Sequence, residues 1–321
     1  MDRDHARSGH AISESCHTLS GSTEDRETGV DVRCIPRCAG RSIIAAGFIA
    51  ATIGPSGVST MRAVAQDALH AVAPALPTDH MLQVGEELEY SVSYSFFSIG
   101  TIRFKITERT EHRNRVVYKA HTIIDSNPSL SWLADVHIRF YSMMDEDVFT
   151  YQWSGDDSAS SGVEFRMMDF DYPMKKMYYV RGVRPNGKPV ETFERETVAV
   201  SGQAQDGLSL FYYARRHVRD KRVEEIPTFI DKKEESTRIN FLAKIESQEI
   251  DAVEYPVETV FFNGHAGFVG VFGLTGGFEG WFSNDDARIP VTARLKVILG
   301  SIKVELTGWK RPGWSPPRAS E

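Results

Sequence analysis

Beyond Cys38 the chain contains no cysteine, and its three cysteines, Cys16, Cys34 and Cys38, all precede the first apolar run. The long remainder therefore has no disulfide, no thiol nucleophile and no thiolate metal ligand. Cys34 and Cys38 have a C-x3-C spacing with no second pair, which does not specify a zinc site. An excess of positive charge is also missing: 37 Lys and Arg stand against 44 Asp and Glu. Residues 1–65 hold seven Arg, no Lys and seven acidic groups, so the whole negative balance lies in the rest. A mildly acidic body excludes a broad phosphate-binding surface, so no nucleic-acid partner is expected. No apolar run approaches the roughly 20 residues of a membrane-spanning helix. No G-x-S-x-G, H-E-x-x-H or Walker sequence occurs. The glycine-dense stretch Gly264–Gly280 lacks the G-x-G-x-x-G order and reads as a mobile hairpin or loop lid. These absences leave no expected catalytic residue, metal site or cofactor.

What is present begins with a polar leader, residues 1–40, that lacks periodicity and reads as disordered. Residues 41–65 carry an uncharged run from Ile43 to Ile53, preceded by Arg33, Arg37 and Arg41. Gly54, Pro55 and Gly57 end the run, and Ala63-Val64-Ala65 supplies an A-x-A site. The combination reads as a secretory signal peptide, with a short anchor or a buried helix as alternatives. A translation start at Val32 would bring the signal to the N-terminus. Export to the periplasm, or secretion from a cell without an outer membrane, follows, and the mature chain would hold no transmembrane helix. Residues 66–81 read as an Ala/Pro-rich linker, 82–309 as the folded body and 310–321 as a Pro-rich disordered tail.

The body alternates apolar and polar residues through most of its length, with a period near two. Leu88, Tyr90, Val92, Tyr94 and Phe96 make one aromatic strand face; Ile102, Phe104 and Ile106 continue the pattern. Ser129–Val136 suggests a short helix with Trp132 and Leu133, and Gly155–Gly162 a polar loop. One amphipathic helix is expected over Gln205–Val218, capped by Asp206, with Arg215, Arg216 and His217 near its C-terminal dipole. Gly280–Leu306 reads strand, polar turn, strand, glycine, strand. About a dozen strands and one main helix predict a mainly β fold: a large curved antiparallel sheet or open barrel with the helix packed on it.

Three spaced pieces of this body resemble the bacterial DUF3108 proteins. They are Val84-Gly85-Glu86-x-Leu88-x-Tyr90 with Ile99-Gly100, then Gln205-Asp206-Gly207-Leu208 running on to Arg215, then Trp281 to Val291 with Gly300-Ser301. The resemblance covers about residues 82–308. It implies an exported protein and brings no established activity. It also implies an architecture similar to periplasmic lipoprotein carriers, in which a curved sheet surrounds a greasy cavity, a fold-level analogy. It marks Gly85, Glu86, Gly100, Asp206, Asp286, Arg288, Pro290 and Gly300 as structural positions.

Tyr90, Tyr94, Phe104, Phe211, Tyr212 and Trp281 are candidates to line a pocket for a hydrophobic or lipid-like ligand; core packing explains the same residues. Asp285 and Asp286 are either an acid pair of a periplasmic hydrolase or turn formers, with Arg288 paired to Asp286 to pin the turn. Asp145, Glu146 and Asp147 lack calcium-loop spacing and read as a hairpin end. His265 reads as a solvated loop residue. The expected function is a non-enzymatic envelope protein holding an apolar ligand; the alternatives are the hydrolase and an envelope scaffold that uses its sheet edges.

Overall fold

The alternating pattern folds, in a computed structural model, as fourteen strands and one α-helix among the described residues. The structure describes residues 81–130, 136–269, 274–297 and 300–320, all within one compact unit, Ala71–Glu321. The expected leader and signal peptide, the expected linker apart from Met81, and Trp132 and Leu133 lie outside the described residues; Met81 is buried in the core rather than part of a linker.

The strands are β1 (Glu87–Tyr94), β2 (Phe97–His112), β3 (Arg115–Ser126), β4 (His137–Asp145), β5 (Thr150–Ala159), β6 (Gly162–Asp171), β7 (Lys176–Pro185) and β8 (Glu191–Ala199). Helix α1 (Ser209–His217) follows, and then β9 (Arg222–Ile230), β10 (Lys233–Gln248), β11 (Val257–Val269), β12 (Leu274–Ser283), β13 (Pro290–Val297) and β14 (Ser301–Lys310). Every neighbouring pair is antiparallel, and the order runs β8 back to β1, then β14 back to β9. The first strand thus pairs with the last, Tyr90 opposite Leu306. The two edges, β8 and β9, are consecutive in the chain, with α1 in the connection between them. The fold class is the expected one: a curved antiparallel sheet that does not close, with one helix against it.

The core sits between the sheet and α1. Tyr212, Leu208 and Val218 pack against Ile106, Met144, Ile239, Phe241, Val260 and Phe282. A second cluster joins Leu88, Tyr90, Val257, Ile289, Val291 and Leu306. At the β8–β9 gap, residues after β8 bridge to β9: Gln205 donates its backbone N–H to Pro227 and accepts from Phe229 N–H. β8 itself is exposed or half-buried along its whole length, and its Glu, Arg and Thr residues suit a sheet edge.

Several local expectations change. Residues 155–159 belong to β5, and the polar turn is confined to its junction with β6. The glycine-dense stretch is paired strand where described, with Gly264 opposite Phe278 and Gly280 opposite Phe262; Gly270 and Gly273 lie outside the described residues. The glycines there leave room for inward rings. A Cβ at Gly264 would lie 2.3 Å from Phe278 Cζ and 2.5 Å from Arg238 O. Gly264→Ala is therefore expected to cost about 1–3 kcal/mol, read as a lowered urea midpoint. Finally, residues 311–320 are not a loose tail. Trp314 Nε1 donates to Asp285 Oδ2 at 2.7 Å, and Ala319 N–H donates to Pro256 O at 2.8 Å. Proline-rich sequence there means a non-repetitive path tied down by side chains, which periodicity does not register.

Candidate functional site

The inward residues of successive strands occupy matched register positions. Phe104 faces Thr122, Thr122 faces Phe140, Phe140 faces Gly155, and Gly155 faces Arg166. Beside this row runs another: Ile102, Ile124, Ile138, Asp157 and Glu164. Together with Leu208 and Leu210 they enclose a cavity of about 480 Å3. That size falls in the roughly 300–1,000 Å3 range of ligand pockets. Phe211 of α1 stacks on Phe104, ring centroids 4.3 Å apart and 7° from parallel, and fixes the helix over the sheet. Gly155 keeps the wall open: a Cβ there would meet Trp153 Cη2 at 2.6 Å.

One end of the cavity is apolar and the other charged. Arg166 donates to Glu164 at 2.9 Å and stands 3.6 Å from Asp231. Glu164 also receives Arg181 Nε at 2.9 Å. Burial pushes the Glu164 carboxyl up, but Arg166 and Arg181 outweigh it and hold it below its ordinary value. Arg166, whose charge burial disfavours, is held above its ordinary value by Asp231 and Glu164. These side chains are about one-third exposed, so the charged end is wet. Thr122, in the apolar part, is only 2% exposed, and its Oγ1 has no hydrogen-bond partner among the described residues. A larger depression of about 630 Å3 lies at the β9–β10 turn, beside His265. Its Lys232 is already engaged, donating to Glu194 at 2.5 Å and to Glu196 at 2.7 Å, and it lacks the apolar wall of the first cavity, so it is the weaker candidate.

Of the six expected pocket residues, only Phe104 lines this cavity, with Phe211 stacked behind it. Tyr90 is buried, its hydroxyl donating to Pro290 O at 3.0 Å. Tyr212 is fully buried in the core; burial raises its phenol far above the ordinary value, with Glu86 adding to the effect and Arg215 opposing it. Tyr94 is 40% exposed, near the strand end. Trp281 donates Nε1 to Glu246 at 2.7 Å and lies near Arg294 and Phe261, while its neighbour Phe282 joins the core. Strand parity explains this, since adjacent residues face opposite sides.

The family-motif positions converge on α1 instead. Arg215, fully buried, donates Nη1 and Nη2 to Glu86 at 2.7 and 2.9 Å and Nε to Ala287 O at 2.8 Å. Arg311 Nη1 also donates to Glu86. Gly85, with φ +87°, turns the chain into this position, and its N–H donates to Ile106 O. At the other end of α1, Asp206 Oδ1 accepts the N–H groups of Leu208 and Ser209 at 2.6 and 2.9 Å, and Asp206 N–H donates to Ser209 Oγ. These bonds close the turn that leads into the helix; the helix itself, Ser209–His217, has Leu208 at its N-cap position with no side-chain cap, so Asp206 holds the approach rather than the expected N-cap, and the helix is shorter than the expected span. Asp206 Oδ2 accepts from Ser142 Oγ at 2.6 Å and Thr150 Oγ1 at 2.8 Å, tying that turn to β4 and β5. Gly100 lies against β3, where a Cβ would come within 2.5 Å of Asp125 O, and Gly300 has φ +92° under Tyr94.

In the β12–β13 turn, Asp285 rather than Asp286 does the pinning. Asp285 Oδ1 accepts from Ser283 Oγ and Arg288 N–H, and Trp314 takes Oδ2. Asp286 has an 89% exposed side chain, 4.0 Å from Arg219. Arg288 Nη1 donates to Arg216 O at 2.9 Å, securing the end of α1. One carboxylate is fully engaged and the other is in solvent, so the hydrolase alternative loses its acid pair. Among the described residues no three His, Cys, Asp or Glu side chains are grouped to hold a metal ion, and no helix is long and apolar enough to cross a membrane.

Comparison with known proteins matches residues 89–307 to the family described as "Protein of unknown function (DUF3108)". No curated protein matches the chain. Among solved structures, a beta-barrel-like protein of domain of unknown function DUF1849 from Brucella abortus is similar at 7% identity, covering 70% of this chain and 97% of that one, with a TM-score of 0.46. A putative exported protein with a YmcC-like fold from Bacteroides fragilis is also 7% identical, covering 71% and 97%, with a TM-score of 0.21.

Proposed function

The chain belongs to the DUF3108 family, whose description states no function, and from its geometry we propose that it is a non-catalytic, exported protein of the bacterial envelope that holds a hydrophobic or lipid-like molecule in its curved sheet. One observation carries the reading: a cavity of about 480 Å3 with an apolar wall on β2–β5 and a wet, charged end at β6 and β9. Such a space suits an amphiphile, apolar body inward and polar head outward. Asp157, Glu164 and Asp231 outnumber Arg166 and Arg181 at that end, which favours a neutral or cationic head. The turn at Asp206 and the ion pairs at Glu86 and Arg311 hold α1 in place over the cavity, so the site is preformed and needs little ordering on binding.

The full chain is expected to bind Nile red with a blue-shifted emission, and a long-chain ester is expected to displace it. Ile138→Trp, which fills the cavity, is expected to weaken dye binding at least ten-fold with an unchanged urea midpoint. Binding that survives this filling would place the dye elsewhere and sink the reading. Export rests on the apolar run Ile43–Ile53 and Ala63-Val64-Ala65. Its test is the mature mass after expression in a Gram-negative host: a chain recovered uncleaved from the cytosol would refute it. The edge strand β8, with Phe193 60% exposed, favours a second reading as an assembly partner; a stable complex lost in Phe193→Lys would support it.

A further inference from the structure

Of the five charged residues along the cavity, four are engaged. Glu164 receives Arg166 and Arg181, Asp231 stands 3.6 Å from Arg166, and Asp156 accepts from Arg184 at 3.0 Å. Asp157 is the exception: its carboxylate makes no hydrogen bond or ion pair among the described residues. It is also exposed, so its oxygens meet the open mouth rather than the packed core. Alternation along β5 puts it on the same side as Trp153 and Gly155, which line the cavity. Its cross-strand neighbours are Ile138 on β4 and Glu164 on β6. Asp157 therefore stands where the apolar wall meets the charged end. An uncompensated negative charge at that boundary favours a cation and disfavours an anion.

Resting on the reading of this cavity as a site for an amphiphile, we infer that the ligand is a cationic one, an alkyl chain ending in an ammonium group, and that Asp157 is the counter-ion of its head. The register gives the tail its path. The inward row Ile102, Ile124, Ile138 ends on Asp157, three strand steps from first to last. At about 4.8 Å per step the row is roughly 14 Å long. An extended chain with carbon–carbon bonds of about 1.5 Å advances roughly 1.25 Å per bond and covers it in roughly eleven bonds. A dodecyl chain thus spans the row with its head at Asp157. Arg166 does not compete for the same carboxylate, because Glu164 and Asp231 already flank it.

Dodecylammonium, dodecan-1-ol and dodecanoate share that tail and differ in head charge. In Nile red displacement from the full chain at neutral pH and low salt, below micelle formation, dodecylammonium is expected to compete about three-fold more strongly than the alcohol, the worth of one exposed ion pair. Dodecanoate is expected to compete less strongly than the alcohol. Sodium chloride at about 0.5 M is expected to shrink the preference. Asp157→Asn is expected to erase it while leaving the alcohol's affinity and the urea midpoint unchanged. Asp156→Asn alters the overall charge by the same amount and is expected to keep it. Equal competition by ammonium and alcohol in the wild type, or a preference that persists in Asp157→Asn, would overturn the inference while leaving the cavity reading intact. An equal loss of preference in Asp156→Asn would make it an effect of net charge and overturn it as well. Failure of all three compounds to displace the dye would instead refute the cavity reading on which the inference rests.

Discussion

Glu86→Gln is expected to destabilise the folded body by about 3–5 kcal/mol, the cost of leaving buried charge without its partner. Glu86 is 1% exposed and accepts from two guanidinium groups, Arg215 and Arg311. Glutamine there still accepts one hydrogen bond but supplies no negative charge, so Arg215 loses the carboxylate it is paired with and Arg311 loses one of its partners. Arg215→Met is expected to cost clearly less, because Glu86 keeps Arg311 and methionine refills the space. Urea unfolding of both variants checks the order. An equal loss, or a larger one in Arg215→Met, would mean that the hydrogen bond from Arg215 to Ala287 O, rather than the charge balance, holds the end of α1.

Loss of Asp206 is the second large effect, and it carries a pH signature. Asp206→Ala removes the acceptor for four donors in a fully buried place, with an expected loss of about 3–5 kcal/mol. Burial raises the Asp206 carboxyl above its ordinary value, while hydrogen bonds from Ser142, Ser209, Thr150 and Leu208 pull the other way. A carboxyl whose folded pKa exceeds its unfolded pKa binds more protons when folded. Its contribution is then complete below the unfolded value, about 3.9, and is lost as pH rises through the folded value. Asparagine does not titrate, so the stability advantage of wild type over Asp206→Asn is expected to shrink as pH rises from about 4 to about 7. An advantage that grows over that range would show the four hydrogen bonds outweighing desolvation.

Much of this architecture is legible in the residues. Period-two alternation locates most strands, and Asp206 marks the approach to the helix because a short polar side chain ahead of an apolar run can accept free backbone N–H groups. The motif pieces also announce that Glu86, Asp206 and the β12–β13 turn matter, but not that they meet. Glu86 and Arg215 lie 129 positions apart, and nothing local in the sequence pairs them. A usable signal was present in α1: Arg215 shares the inward helical face with Leu208 and Tyr212, where a cation needs a buried anion. Thr122 carried the same kind of signal, a polar residue at apolar parity. Trp281 went the other way, because a large aromatic outweighed its own strand parity. Asp285 and Asp286 are not told apart by sequence, because a turn's geometry, not its composition, decides which carboxylate folds back.

Pairing of β1 with β14 has a kinetic consequence. The earliest strand cannot complete its ladder until the latest one exists, more than 200 residues on, as the Tyr90 hydroxyl on Pro290 O illustrates with its separation of 200 positions. Such distant closure slows folding and leaves a raw hydrogen-bonding edge on the nascent chain for the whole interval. A circular permutant that begins at β9 and ends at β8, with β14 joined to β1, is therefore expected to refold faster than the natural order.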